Sequence, residues 1–145
     1  VEVPRDTAVR VEATSGDLSA EGLDGNLTLH TNSGDVRAHR LTGRLDLDTS
    51  SGEVTGANLR SASVRANSSS GDVYLDFARA PQTVEADTSS GDVRIIVPRG
   101  ADAYAVEADT GSGEERIDVL RDASSRRLLR ADTGSGDIEI GYRGP

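Results

Sequence analysis

The residues best placed to do chemistry are two copies of Asp-Thr-Gly-Ser, at 109–112 and 132–135. Two aspartates held side by side share a proton and can activate water for peptide hydrolysis, the chemistry of an aspartic protease. A second set is larger. The triplet Ser-Gly-Asp/Glu begins at Ser15, Ser33, Ser51, Ser70, Ser90, Ser112 and Ser135, which sets seven acids in equivalent places: Asp17, Asp35, Glu53, Asp72, Asp92, Glu114 and Asp137. In a column, such carboxylates either accept nearby backbone N–H groups or ligate a calcium ion, which takes clustered oxygens. A third set, Arg94, Arg116, Glu107 and Glu139, has the acids and arginines that a carbohydrate-active enzyme on a parallel β-helix would use on an exposed face. His30 and His39 fall on different faces of the second coil and make no metal pair. Cysteine is absent, which removes disulfides, thiolate metal sites and thiol nucleophiles.

What these residues can do depends on the elements that carry them, and those elements repeat. Successive triplets are 18, 18, 19, 20, 22 and 23 residues apart. Six and four residues before each triplet serine stand apolar pairs such as Leu27 and Leu29, Val84 and Ala86, or Leu129 and Ala131. Three and five residues after it stand Val36 and Ala38, Val93 and Ile95, or Ile138 and Ile140. Apolar residues at a period of two, bounded by Ser and Gly, predict short strands. A repeat of about 20 residues cannot bury its own apolar face and must stack on its neighbours. The expected fold is therefore all-β: a parallel β-solenoid of about seven coils, 18–23 residues each, with one SG[DE] turn per coil. A third apolar point at Leu23, Leu41 and Leu59 suggests three short faces in the first coils. Extra residues in ARAPQT, PRGADAYA and RDASSRR should project as loops along one side.

The chain reads as one domain, 1–145. Its first residues, VEVPRDTAV at 1–9, resemble VPRGADAYAV at 97–106, so it starts within a repeat and reads as a piece of a longer precursor. Each coil is expected to lie on the next, so the outward position five residues before the serine brings together Asp46–Arg65, Arg65–Glu85 and Glu107–Arg130, with Glu85–Glu107 the one like-charged step. The open ends would then be Val1–Val3 and Ile138–Tyr142, edges through which copies could join end to end.

On this framework the two Asp-Thr-Gly-Ser copies are turn approaches. The same slot holds Asp48-Thr49-Ser50-Ser51, Asn67-Ser68-Ser69-Ser70 and Asp87-Thr88-Ser89-Ser90, so its first residue is not a fixed carboxylate. Asp109 and Asp132 would share neighbouring rungs but on a flat face without a cleft, so no catalytic residue is assigned. The threonines should face inward and bond the turn backbone, which also removes an ice-binding ladder from Thr31 to Thr133. The triplet acids are expected to close Asx-type turns, with the calcium ladder as the alternative. Glu115 stands in the inward slot that holds Val93 and Ile138 elsewhere. A bulge at SGEERI, with Ile117 and Val119 restoring the pattern, would keep its carboxylate out of the core.

The formal charge is −9 and all 16 basic residues are arginine, without a basic block. Nucleic-acid binding needs clustered positive charge, so it is not expected. No apolar run approaches the ~20 residues of a membrane helix, so this segment does not insert into a membrane directly. No cofactor is implied. Phe, Tyr and Trp make up 3% of the chain, and Tyr74, Tyr104, Tyr142 and Phe77 do not share one column.

The repeated V-x-A-D-T-S-S-G-D-V-x-I, together with I-I-V-P-R-G at 95–100, resembles bacterial adhesin-type β-strand-repeat families, domains of unknown function related to auto-transporter-adhesin head domains. The resemblance implies a solenoid exported to, or tied to, the cell envelope, and transfers no catalytic residue. The expected function is thus a non-enzymatic, extracytoplasmic scaffold or adhesin-like interaction module. It would present flat β-faces and loops to a protein or glycan of the envelope, with self-association through its ends. The alternative is a carbohydrate-active enzyme on the same fold.

Overall fold

The computed structural model describes residues 9–22, 26–60, 63–79, 81–98, 103–119, 121–122 and 124–142. The period-two segments fold as short strands: β1 (Val9–Ser15), β2 (Leu18–Glu21), β3 (Leu27–Ser33), β4 (Val36–His39), β5 (Leu45–Ser51), β6 (Val54–Leu59) and β7 (Ser63–Ser70). They continue with β8 (Val73–Phe77), β9 (Thr83–Ser90), β10 (Val93–Val97), β11 (Ala105–Ser112), β12 (Glu115–Ile117), β13 (Leu128–Ser135) and β14 (Ile138–Tyr142). The odd strands make one seven-stranded parallel sheet and the even strands a second. Each triplet is the corner between them, so one odd and one even strand form a rung. The all-β parallel solenoid read from the sequence is what forms.

Two sheets face each other, where three short faces were expected. Leu41, in the connection after β4, and Leu59, the last residue of β6, are fully buried toward the remaining side. Their carbonyls still accept the N–H groups of Arg60 and Ala78 one rung on, at 2.9 and 2.7 Å. Leu23 lies outside the described residues. Between the sheets, alternate residues are buried: Leu45, Leu47 and Thr49 from β5, for example, against Val54 from β6. At about 25 cal/mol per Å² of apolar surface, this burial is the main force favouring the fold. The widened later coils do more than project loops, because Tyr104 turns fully into the core and, with Phe77, heads its largest buried side chains.

Stacking sets the corner. Rungs repeat at about 4.8 Å, and the triplet glycines lie directly over one another. Gly52, Gly71, Gly91 and Gly136 have φ of 145–147°. A Cβ on Gly71 would overlap the carbonyl of Gly52, and one on Gly91 the carbonyl of Gly71. Only glycine satisfies both the backbone angle and the contact. The inward hydroxyl of the Thr/Ser column closes the same corner across the rung rather than within its own turn. Thr49 Oγ1 donates to Gly34 O, Ser68 Oγ to Gly52 O and Thr88 Oγ1 to Gly71 O, at 3.0–3.1 Å.

The rungs do not stack in chain order. The first sheet runs β1-β3-β5-β7-β9-β13-β11 and the second mirrors it, ending β10-β14-β12. After β10 the chain passes over one vacant level, builds the last rung with β11 and β12, and returns to fill the gap with β13 and β14. Three columns explain the inversion. In the first sheet it gives Arg65, Glu85, Arg130, Glu107, so the like-charged Glu85–Glu107 step disappears. In the second it gives Arg94, Glu139, Arg116, where chain order would set arginine on arginine. Each such step is worth about 1 kcal/mol or less. The inward column decides more. It runs Val93, Ile138, Glu115, which leaves Glu115 exposed at the end of the stack. Chain order would trap the carboxylate between Val93 and Ile138, at a cost of several kcal/mol.

Glu115 therefore needs no bulge: β12 pairs with β14 in unbroken register. The register shift that does occur lies at Gly56/Leu59, between β6 and β8. The expected end at Ile138–Tyr142 is corrected as well. β14 pairs on both sides, and among the described residues the open edges belong to β11 and β12 at one end and to β1 and β2 at the other. Val1–Val3 lie outside the described residues.

Two experiments follow from this stacking. In a chain without native cysteine, Arg94→Cys with Glu139→Cys should oxidise to a disulfide, being register partners on adjacent strands. Arg94→Cys with Arg116→Cys, two rungs apart at about 9.6 Å, exceeds the ~7 Å reach of a disulfide. Mass spectrometry showing the reverse would restore chain order. In thermal or denaturant unfolding, Gly71→Ala is expected to cost about 3 kcal/mol or more, from strain plus overlap. Gly16→Ala shares the positive φ but meets nothing within 4 Å, so about 1–2 kcal/mol is expected there. Equal losses would remove the inter-rung contact as the cause.

Candidate functional site

The triplet acids form the predicted column, but their turns are not closed locally. Asp17, Asp35, Asp72, Asp92 and Asp137 each reach one rung along the stack with a carboxylate oxygen. Asp17 Oδ1 accepts the N–H of Asp35, Asp35 Oδ1 that of Glu53, and Asp72 Oδ1 that of Asp92, at 2.9–3.0 Å. The ladder keeps its direction through the inverted rungs: Asp92 Oδ1 accepts from Asp137 N, and Asp137 Oδ1 from Glu114 N, both at 2.9 Å. A charge-assisted bond of this kind answers the backbone donor that the glycine corner turns out of the strand ladder. Among the described residues, no three acidic or histidine side chains converge as a metal cage requires. The column works as an inter-rung clamp.

On the outer face of the first sheet, Asp87, Asp132 and Asp109 occupy successive rungs, so the paired aspartates of the sequence are three in a row. All three are exposed. Beside them run Arg65, Glu85, Arg130 and Glu107, with Arg65 Nε to Glu85 Oε2 at 3.6 Å and Arg130 Nε to Glu107 Oε2 at 3.9 Å. Arg65, Glu85, Asp87, Arg130 and Asp132 line a shallow depression of ≈ 160 Å³. The Asp87 carboxyl is held above its ordinary value, first by partial burial and then by the charge of Asp132, with Arg130 and Arg65 opposing. Among the described residues, the face offers alternating charge around a shallow depression.

The second sheet carries a different face. Thr55, Tyr74, Arg94, Glu139 and Arg116 follow one another on consecutive rungs. The Arg94 guanidinium lies 5.6 Å from the centre of the Tyr74 ring, and its Nη2 is 3.8 Å from Glu139 Oε1. Thr55, Tyr74 and Arg94 of this row, with Glu53, Asp72 and Asp92, border a depression of ≈ 360 Å³. Three of the four residues considered for sugar chemistry, Arg94, Arg116 and Glu139, thus come together, whereas Glu107 lies on the opposite sheet paired with Arg130. The pairing of Tyr74 with a cation is not evident from the sequence pattern; a Tyr at an outward strand position one repeat before an Arg is the signal that could have found it.

The histidines stay apart. His30 Nδ1 faces its register partner Asp48 at 3.2 Å, and His39 lies at the end of β4 beside Asn58 and Glu21. Glu21 also binds Arg40, and that hydrogen bond, with the arginine's charge, holds its carboxyl below the ordinary range.

The chain belongs to the family described as Toastrack DUF4097, whose model matches residues 5–141. No curated protein and no solved structure matches it at a significant level. The family is one of unknown function, so the two faces have to be read on their own chemistry.

The raised Asp87 carboxyl links the first face to pH. Because the folded form keeps its proton to a higher pH than the unfolded chain does, the contribution of Asp87 to stability is complete below about pH 4. It is lost as pH rises through the raised value. Asp87→Asn is expected to raise Tm at neutral pH, with the gain vanishing on acidification below the ordinary carboxylate range. A gain that is the same at all pH values would take the effect away from ionisation of Asp87.

Proposed function

We propose that this Toastrack β-solenoid is a non-enzymatic, extracytoplasmic scaffold of the bacterial cell envelope, whose two flat faces dock an envelope protein or glycan in an adhesin-like manner. The observation that carries the reading is the rung-to-rung alignment of outward side chains into continuous rows, with shallow depressions between them. Such rows suit an extended polymer, which repeats its contacts at the spacing of the rungs. The row Tyr74–Arg94–Glu139 is the better candidate for a glycan, since an aromatic ring beside charged hydrogen-bonding groups can meet both the apolar and the hydroxyl face of a sugar. The charged row Arg65–Glu85–Arg130 suits a polar protein surface, where electrostatic complementarity sets register more than affinity.

The test removes one face at a time, with Tyr74→Ala/Arg94→Ala and Arg65→Ala/Arg130→Ala. Retention on isolated cell-wall sacculi and on envelope membranes is measured by co-sedimentation, alongside the chain length of the sacculus glycan. Wild type should be retained, one double variant should lose retention at least tenfold while the other keeps it, and the glycan should stay intact. Shortened glycan would establish the carbohydrate-active alternative. Retention no greater than that of an unrelated protein of equal charge would defeat the scaffold reading.

A further inference from the structure

We propose that the two ends of the stack are matched surfaces for a second copy of this chain, and that the side chain of Glu115 holds them apart. This goes beyond the docking faces and does not depend on them. Within the stack the junctions share one set of groups, except that no acid bond joins Glu53 to Asp72. The triplet glycine N–H donates to the serine carbonyl of the next rung, as Gly52 to Ser70 at 3.1 Å. The triplet acid accepts the next acid's N–H, as Asp35 accepts that of Glu53 at 3.0 Å. The β11/β12 end presents the first half of the glycine bond, the Gly113 N–H, and carries Glu114 in the acid column. Among the described residues, the β1/β2 end presents the second halves, the Ser15 carbonyl and the Asp17 N–H. A second copy placed head to tail would therefore continue the ladder in register.

The side chains at such a junction have precedents inside the molecule, with one exception. Glu107 would meet Arg10 as it already meets Arg130. Asp109 would meet Glu12, a like-charged exposed step of the kind that Asp109 and Asp132 already make. Both ends show half-buried apolar residues, among them Val11 and Leu18 at one and Ala108 and Ile117 at the other. The exception is the inward column, which would read Ile138, Glu115, Leu18. Joining would close the exposed carboxylate of Glu115 into the core without a partner. An inward-pointing charge on an edge strand is an effective barrier to edge pairing. Because the two surfaces differ, the contact is heterologous and would propagate as a rod rather than close as a dimer.

Light scattering and small-angle X-ray scattering over micromolar to millimolar chain test this. Wild type should remain at 15.2 kDa throughout. Glu115→Val should gain mass with concentration at constant cross-section, lengthening by about 34 Å per copy, seven rungs at ~4.8 Å. Adding Leu18→Glu, which places a carboxylate on the opposite end, should return Glu115→Val to the mass of one chain. The Arg94→Cys/Glu139→Cys cross-link should still form in the Glu115→Val background, showing an unchanged rung order. The proposal is overturned if wild type itself lengthens, if Glu115→Val stays at one chain or stops at two, if Leu18→Glu has no effect, or if the cross-link is lost.

Discussion

Everything in this molecule hangs on the contact between one glycine and the carbonyl of the glycine a rung away. It fixes φ, excludes a Cβ and sets the corner from which both strands of a rung depart. The two sheets, the inward Thr/Ser column and the acid clamp follow from it. Because the corner turns a backbone N–H and a carbonyl along the stack axis, both need partners, and the acid and the hydroxyl of neighbouring rungs supply them. The recurrent triplet is thus a single inter-rung joint used repeatedly, and its acids are structural before they are anything else.

The joint is indifferent to chain order, which is why order could be chosen by other forces. Ladder polarity passes unbroken from Asp92 to Asp137 to Glu114, although the sequence visits them in another order. Once the backbone accepts any rung at any level, the side-chain columns decide. A stranded core carboxylate outweighs exposed pairs of charges, so Glu115 weighs most in the choice and the Arg/Glu alternations reinforce it. A protein of equivalent rungs can be arranged by a few residues that are not equivalent.

Strands, turns and stacking are legible because a period of two and a recurrent Ser-Gly-Asp/Glu state them locally. The columns at Leu27, Leu45 and Val84 need no more than counting. Two anomalies visible in the sequence, Glu115 in a core slot and the Glu85–Glu107 step, look like local irregularities as long as consecutive stacking is assumed. Both are signs of the exchanged rungs, a long-range choice that no local pattern encodes. The direction of the acid bonds is illegible for a related reason: Asp35 can reach its own turn or the next rung, and only the stacking distance selects. The Tyr74–Arg94 contact depends likewise on which strands become neighbours. The rows on the two outer faces, too, emerge only when the columns are assembled.

The exchanged rungs also set how the molecule yields to tension. Strand β14 ends at Tyr142, within a level that has neighbours above and below. A pull applied through Tyr142 cannot peel an edge strand one bond at a time. It has to shear β14 against β10 and β12 together, then draw β13 from between β9 and β11. Had the rungs followed chain order, β14 would have had a neighbour on one side only among the described strands. Crossing two coils thus makes β14 a mechanical anchor, gripped from both sides.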